Sequence, residues 1–168
     1  MSMSDVCAAA NVSRTTLYRY FPQKEDLFEG IGVYHRHEFE QALKAMEAAH
    51  PEPVDRFRAT IDLLQYFIDL KRMAHILVVE PQFAISYLQR HVPYFTKLVQ
   101  QALEPAFEFA QARSGRRLDP VLMTELLFHV VGSSLIMSDD DVLRRFADMI
   151  LETWFDVPGD TEGHRIAL

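Results

Sequence analysis

Val6-Cys7-Ala8-Ala9-Ala10-Asn11-Val12-Ser13-Arg14-Thr15-Thr16-Leu17-Tyr18-Arg19-Tyr20-Phe21-Pro22-Gln23-Lys24-Glu25-Asp26-Leu27 decides how this chain is read. Just before it, Ser2 and Asp5 form a capping-box-like pair for a short first helix, with Met3, Val6 and Ala10 expected inward. Asn11-Val12 makes a turn, since Asn tolerates the left-handed conformation, and Ser13 is placed to cap a second helix from Arg14 to about Phe21. Pro22-Gln23 breaks it. Ala9 and Ala10 are small enough for a close helix crossing, and Leu17 and Phe21, four apart, anchor the second helix to its scaffold. Arg14, Thr15, Tyr18 and Arg19 then lie on the opposite side. Helix-turn-helix spacing alone occurs widely, so the residue types on that free side carry the argument.

Charge sharpens the picture. The chain has 168 residues and a formal net charge of −7, which argues against a protein that coats nucleic acid over its whole surface. From Ala8 to Lys24, however, the segment holds Arg14, Arg19 and Lys24 and no acid, and acids return at once with Glu25, Asp26 and Glu29. Positive charge is confined to one short stretch, as a local reader requires.

The quoted run resembles the DNA-binding signature of the TetR family of transcriptional regulators. Outside those residues the similarity lies in the order of helices and in the closing pair. The resemblance implies that Arg14, Thr15, Tyr18 and Arg19 reach base edges in a major groove, with Arg favouring guanine O6 and N7. It also implies that Thr16, Tyr20 and Lys24 clamp phosphates, which holds register without specifying sequence. Asn11 stands where the family usually has Gly, and Gln23 where it often has a capping Ser, so the long helix that follows is expected to start less firmly. The family's first helix, which would precede Ser2, is absent, and the reading domain is expected to be truncated at its N-terminus.

Beyond the motif, helical signals run almost end to end, and 49% hydrophobic residues suffice for one good core plus a small satellite. The expected fold is all-α: a helix-turn-helix domain over residues 1–25, a helical ligand-sensing and dimerisation bundle over 26–157, and a tail over 158–168. A long amphipathic helix starts at Lys24 with Leu27, Ile31, Tyr34, Phe39, Leu43 and Met46 near one face, and ends at His50-Pro51-Glu52-Pro53. Phe57, Ile61, Leu64 and Ile68 mark the next. Residues 73–79 read as a short buried helix, and Pro81 and Pro93 as first-turn prolines of two further helices, the second reaching about Arg113 with a kink at Pro105. Ser114-Gly115-Arg116-Arg117 is an exposed loop.

Asp119-Pro120 opens a helix to about Met137, and Ser138 with Asp141 opens a last one to about Phe155. Both are apolar on more than one side. A terminal helix of that kind needs its own domain on one side and a second surface on the other. An isologous homodimer supplies that surface, with Val121, Phe128, Gly132, Leu135, Val142, Phe146 and Ile150 as its expected residues; burial of both faces within one monomer is the alternative.

The resemblance further implies an effector cavity in the bundle, whose occupation tilts the helix from Lys24 and changes the spacing of two recognition helices on a palindromic operator. Candidate lining residues are Tyr66, Phe67, Phe83, Tyr87, Tyr94, Phe95, Phe107, Met123 and Phe128, each of which also suits plain core packing. Glu80, Glu104 and Glu125 would face a cationic ligand if buried. No cofactor is expected and no metal: His75, His91 and His129 are scattered, His35 and His37 point to different sides of a helix, and Cys7 is the only cysteine and reads as a packing residue. No phosphate-cradling Gly loop, His-Glu-x-x-His helix or nucleophile arrangement marks an enzyme. No signal peptide is visible and the apolar stretches fall short of a membrane span, so a soluble cytoplasmic protein is expected. The expected function is a repressor released from double-stranded DNA by a small molecule; the competing reading is a helical dimer that binds a ligand or partner but not DNA.

Overall fold

Three of the helix starts marked by the sequence form as written, each through the side chain that the orphan N–H groups of a first turn require. A computed structural model describes residues 2–70, 77–137 and 141–156. Helix α1 (Met3–Ala10) opens with a reciprocal pair: the Ser2 N–H donates to Asp5 Oδ2 at 2.7 Å and the Asp5 N–H to Ser2 Oγ at 3.2 Å. Asn11 turns the chain at φ 53°, ψ 42°, and Ser13 Oγ accepts from the Thr16 N–H to begin α2 (Arg14–Tyr20). Helix α3 (Lys24–Ala49) has Gln23 at its cap; the Gln23 N–H donates to Asp26 Oδ2 at 2.9 Å, so Asp26 fixes a start that lacks Ser.

Helix α4 (Pro53–Leu70) follows a tight corner in which the Arg56 guanidinium donates to the carbonyls of His50 and Glu47, satisfying the end of α3. Helix α5 (Pro81–Ser114) is 34 residues long and ends at Gly115, whose φ of 64° is the left-handed C-cap that glycine adopts without strain. Asp119 Oδ1 accepts from the Val121 and Leu122 N–H groups at the start of α6 (Pro120–Met137). Helix α7 (Val142–Ile150) runs into a π-helical turn, Leu151–Phe155. Among the described residues there is no strand.

The main core lies in α3 to α7, with α5 in the middle against α3, α4, α6 and the π turn. Ala102, Ala106 and Ala110, four apart on α5, are fully buried and let the neighbouring helices approach closely, while Phe57, Leu103, Leu127, Leu143 and Phe155 fill the space between them. Buried Thr60 and Thr124 donate their hydroxyls to the carbonyls of Arg56 and Pro120, so neither is orphaned. A second, small core holds Cys7, Leu17 and Leu27. Helix α3 spans both, and the expected boundary between residues 25 and 26 falls inside it.

Several expectations need correction. Pro93 does not start a helix: α5 runs through it from Pro81. Pro93 and Gln89 are both exposed, so water can meet the carbonyl that the proline leaves without a donor. Tyr34 is 58% exposed and donates to Glu38 at 2.5 Å; the buried line of α3 runs through Gly32, Phe39 and Leu43. Ala9 and Ala10 are exposed, because the turn at Asn11 brings Val12 back to the Cys7 carbonyl and centres the inward face there. Residues 77–79 are helical, yet Val78 is 80% exposed and, of the three, only Leu77 packs on the core. Residues 73–76, Ser138 and the tail lie outside the described residues. Helix α6, by length and composition alone, is apolar enough to cross a membrane, which the apolar stretches had not suggested. One such helix is weak grounds for a span: α6 turns Leu127, Val131 and Leu135 into the bundle and leaves Leu122, Leu126, Ile136 and Met137 exposed.

Candidate nucleic-acid interface and the cavity behind it

The small core seats α2 by its inner side. Leu17 is 7% exposed, and the half-buried Phe21 ring lies against α3 where Gly30 leaves room for it: a Cβ added at Gly30 would stand 2.8 Å from Phe21 Cε1. Arg14, Thr15, Tyr18, Arg19 and Tyr20 consequently all face outward, with Tyr18 47% and Tyr20 66% exposed. Two aromatic rings left in water beside two guanidinium groups are costly as a mere surface and well suited to groove and backbone contacts. The Arg19 guanidinium lies over the Tyr20 ring, 5.0 Å from its centroid, and Arg19 Nη2 donates to Tyr20 Oη at 3.5 Å, so these two form one flank of the helix. Thr16 is half-buried and shares a 2.9 Å hydrogen bond with Ser13, so its hydroxyl serves the cap.

Lys24 stands apart from the other expected contacts. Its Nζ is 2.8 Å from Glu80 Oε1, at the start of α5, and 5.4 Å from the centroid of the Phe28 ring. The Lys24 ammonium holds the Glu80 carboxyl below the usual carboxylate range. Glu80, weighed as a partner for a cationic ligand, is thus engaged with the reading segment, while Glu104 and Glu125 are exposed.

That ion pair begins a seam joining α3 to α5. Phe28 stacks on Phe83 with centroids 3.7 Å apart; Glu29 meets Arg90 at 2.9 Å and Arg36 at 3.8 Å; Arg36 Nη1 lies 2.8 Å from His91 Nδ1. Gly32 allows the close approach, since a Cβ there would sit 3.0 Å from His91 Nε2. His91 is only 3% exposed, and burial together with the neighbouring Arg36 lowers its pKa. His35 and Tyr87 share a 3.3 Å hydrogen bond at the far end, and burial pushes the Tyr87 hydroxyl up to about 12.

Tyr87 also belongs to a cavity of about 260 Å³ among α3, α4, α5 and α6. Of the expected lining residues, Phe67, Tyr87, Phe95 and Phe128 are there, joined by His35, Phe39, Leu64, Ile68, Leu88, Val92, Val131, Gly132 and Leu135. The others lie elsewhere. Tyr66 is 47% exposed, turned away by the helical step that points Phe67 inward. Phe83 stacks on Phe28 in the seam, Tyr94 is exposed and donates to Glu40, Phe107 fills the core, and Met123 packs on its edge. His35 was missed, although its spacing of four from Phe39 places the two on one face of α3.

Among the expected dimer residues, Val121 is exposed and Phe128, Gly132, Val142 and Phe146 are partly so. Leu135 and Ile150 turn inward, at 7% and 5% exposure, and leave little for a second copy to touch. Leu122, Leu126, Ile136, Met137 and Met149 provide the exposed apolar surface of α6 and α7 instead. Among the described residues no three His, Cys, Asp or Glu converge on a possible metal site.

Residues 1–31 match the family described as bacterial regulatory proteins, tetR family. No curated protein and no solved structure matches the chain.

Proposed function

We propose that the chain is a cytoplasmic homodimeric repressor released from its operator by a small molecule, a reading supported by the match of residues 1–31 to tetR-family regulatory proteins, which points to a DNA-binding transcription regulator. The observation that carries this reading is the outward set on α2. Arg14, Thr15 and Tyr18 would read base edges, while Arg19 and Tyr20 would hold the backbone. Lys24 is assigned a double role: paired with Glu80 when the domains are latched, and available to a phosphate when they are not. A dimer built on the exposed apolar face of α6 and α7, with Val121, Phe128, Gly132, Val142 and Phe146 at its edge, would present two such helices about 34–36 Å apart, one turn of DNA.

Release follows from the seam. A molecule entering the cavity presses on Tyr87 and His35; the same stretch of α5 holds His91, Arg90 and Glu80, which meet α3 at Arg36, Glu29 and Lys24. Moving α5 therefore moves the helix that carries the reader, and a shift of a few ångströms changes half-site spacing. Gel-shift titration against the promoter beside its own gene tests this. Salt-sensitive binding is expected, with Tyr20→Phe weakening every duplex alike and Arg14→Ala also relaxing base preference by about 1–3 kcal/mol. Equal losses on operator and random DNA for Arg14→Ala would remove its reading role, and no binding at any salt would favour the helical dimer without DNA-binding activity.

A further inference from the structure

We infer that the effector is an uncharged, mostly hydrocarbon molecule of one or two rings carrying a single hydroxyl or carbonyl group, bound with that group at the His35–Tyr87 pair. The inference rests on the effector-release reading and goes beyond it by naming the ligand's chemistry.

Among the described lining residues the walls are aliphatic or aromatic, and none is Asp, Glu, Lys or Arg. An ion placed there would lose its hydration, and apart from the His35 imidazole, already paired with Tyr87, no group in the wall could offer a counter-charge, which disfavours ionic ligands at such a site. An entirely apolar ligand would leave the one polar place in the wall unused. That place is the 3.3 Å contact between His35 Nδ1 and Tyr87 Oη. Whichever of the two donates, the tyrosine oxygen keeps capacity for one more bond: a lone pair if its proton points to the imidazole, the proton itself if the imidazole donates. A hydroxyl satisfies either arrangement, and a carbonyl the second. Burial keeps Tyr87 in its neutral, proton-bearing form across the physiological range.

Size sets the other limit. At about 260 Å³ the cavity exceeds the ~150 Å³ apolar cavity that holds benzene and falls just short of the ~300–1,000 Å³ of drug-sized sites. One or two rings fit. A broader groove between α5 and α6 shares Val92, Phe128 and Gly132 with the cavity, and a Cβ added at Gly132 meets nothing within 4 Å. Any larger residue at that position would hang into the shared opening.

Isothermal titration of the full chain with naphthalene, 2-naphthol and 2-naphthoate compares three probes of one skeleton. The alcohol should bind tightest, with naphthalene about fivefold weaker for want of one hydrogen bond and the carboxylate at least ~30-fold weaker. Tyr87→Phe should abolish the preference for the alcohol while leaving naphthalene within about twofold, which a loss of folding would not do. Gly132→Leu should weaken both neutral probes. Tighter or equal binding of 2-naphthoate, retention of the alcohol preference in Tyr87→Phe, unaltered uptake by Gly132→Leu, or uptake of none of the three would each overturn the assignment. Duplex DNA titrated in parallel separates the two levels: DNA binding by a chain that ignores 2-naphthol sinks the ligand class alone, whereas 2-naphthol uptake by a chain that ignores DNA upholds the class and sinks the repressor reading.

Discussion

The reading segment and the bundle use side chains in opposite ways. In the first, Cys7, Leu17 and Leu27 are buried, and the tyrosines, the arginines and Thr15 of α2 are left in water. In the second, five helices surround Val99, Leu103, Leu143 and Phe155, and the aromatic residues mostly close the interior. At ~1.5–3 kcal/mol for each large apolar side chain buried, the small core contributes a modest fraction of what the bundle does. The reading segment is also tied to α3 and α5, through Phe21 at Gly30 and Lys24 at Glu80.

The largest expected effect lies in the bundle. Phe155, 1% exposed and 5.4 Å from the Phe57 ring, closes the π turn on the core, and Phe155→Ala should cost about 3–5 kcal/mol in urea unfolding. If the loss were under about 1 kcal/mol, the two regions would not differ as described. Leu17→Ala should instead abolish DNA binding while the main unfolding transition stays in place, because Leu17 lies outside the principal core. A single transition displaced as far as for Phe155→Ala would show that reader and bundle unfold as one.

Leu126→Glu should halve the mass seen by light scattering without altering the monomer, since Leu126 is 43% exposed on the outer face of α6. A charge at Ile150 is no test of that interface, because Ile150 is a core residue. An unchanged mass for Leu126→Glu would move the dimer contact elsewhere. The smallest effect is at the seam. His91 is buried facing Arg36, with Arg90 and Glu29 close by, and its pKa lies below the ordinary 6.5. The unfolded chain then takes up a proton before the folded one, so stability is full above about pH 6.5 and declines as the pH falls below it. His91→Gln should flatten that slope; a slope left intact would assign it to other groups.

The same contrast explains what was legible. Caps and turns are local, so Ser2, Asp5, Ser13, Asn11 and Asp119 could be read directly, and so could the outward face of α2. The cavity was not. Whether Tyr66 or Phe67 turns inward depends on the azimuth of α4 against three other helices, which a stretch apolar on both sides leaves open. Pro93 misled for a related reason: its local rule predicts a helix start, and exposure on a helix held by packing overrode it. No local signal connects Lys24 with Glu80, which lies 56 residues away, so their ion pair is not legible in the sequence.

Selection of duplexes from a random library by the full chain tests the outward face of α2 most directly. The expected result is enrichment of an inverted repeat whose half-sites lie about 10 base pairs apart, with the preference lost in Arg14→Ala. Recovery of a library as random as the one supplied, at salt low enough for phosphate contacts to hold, would contradict it.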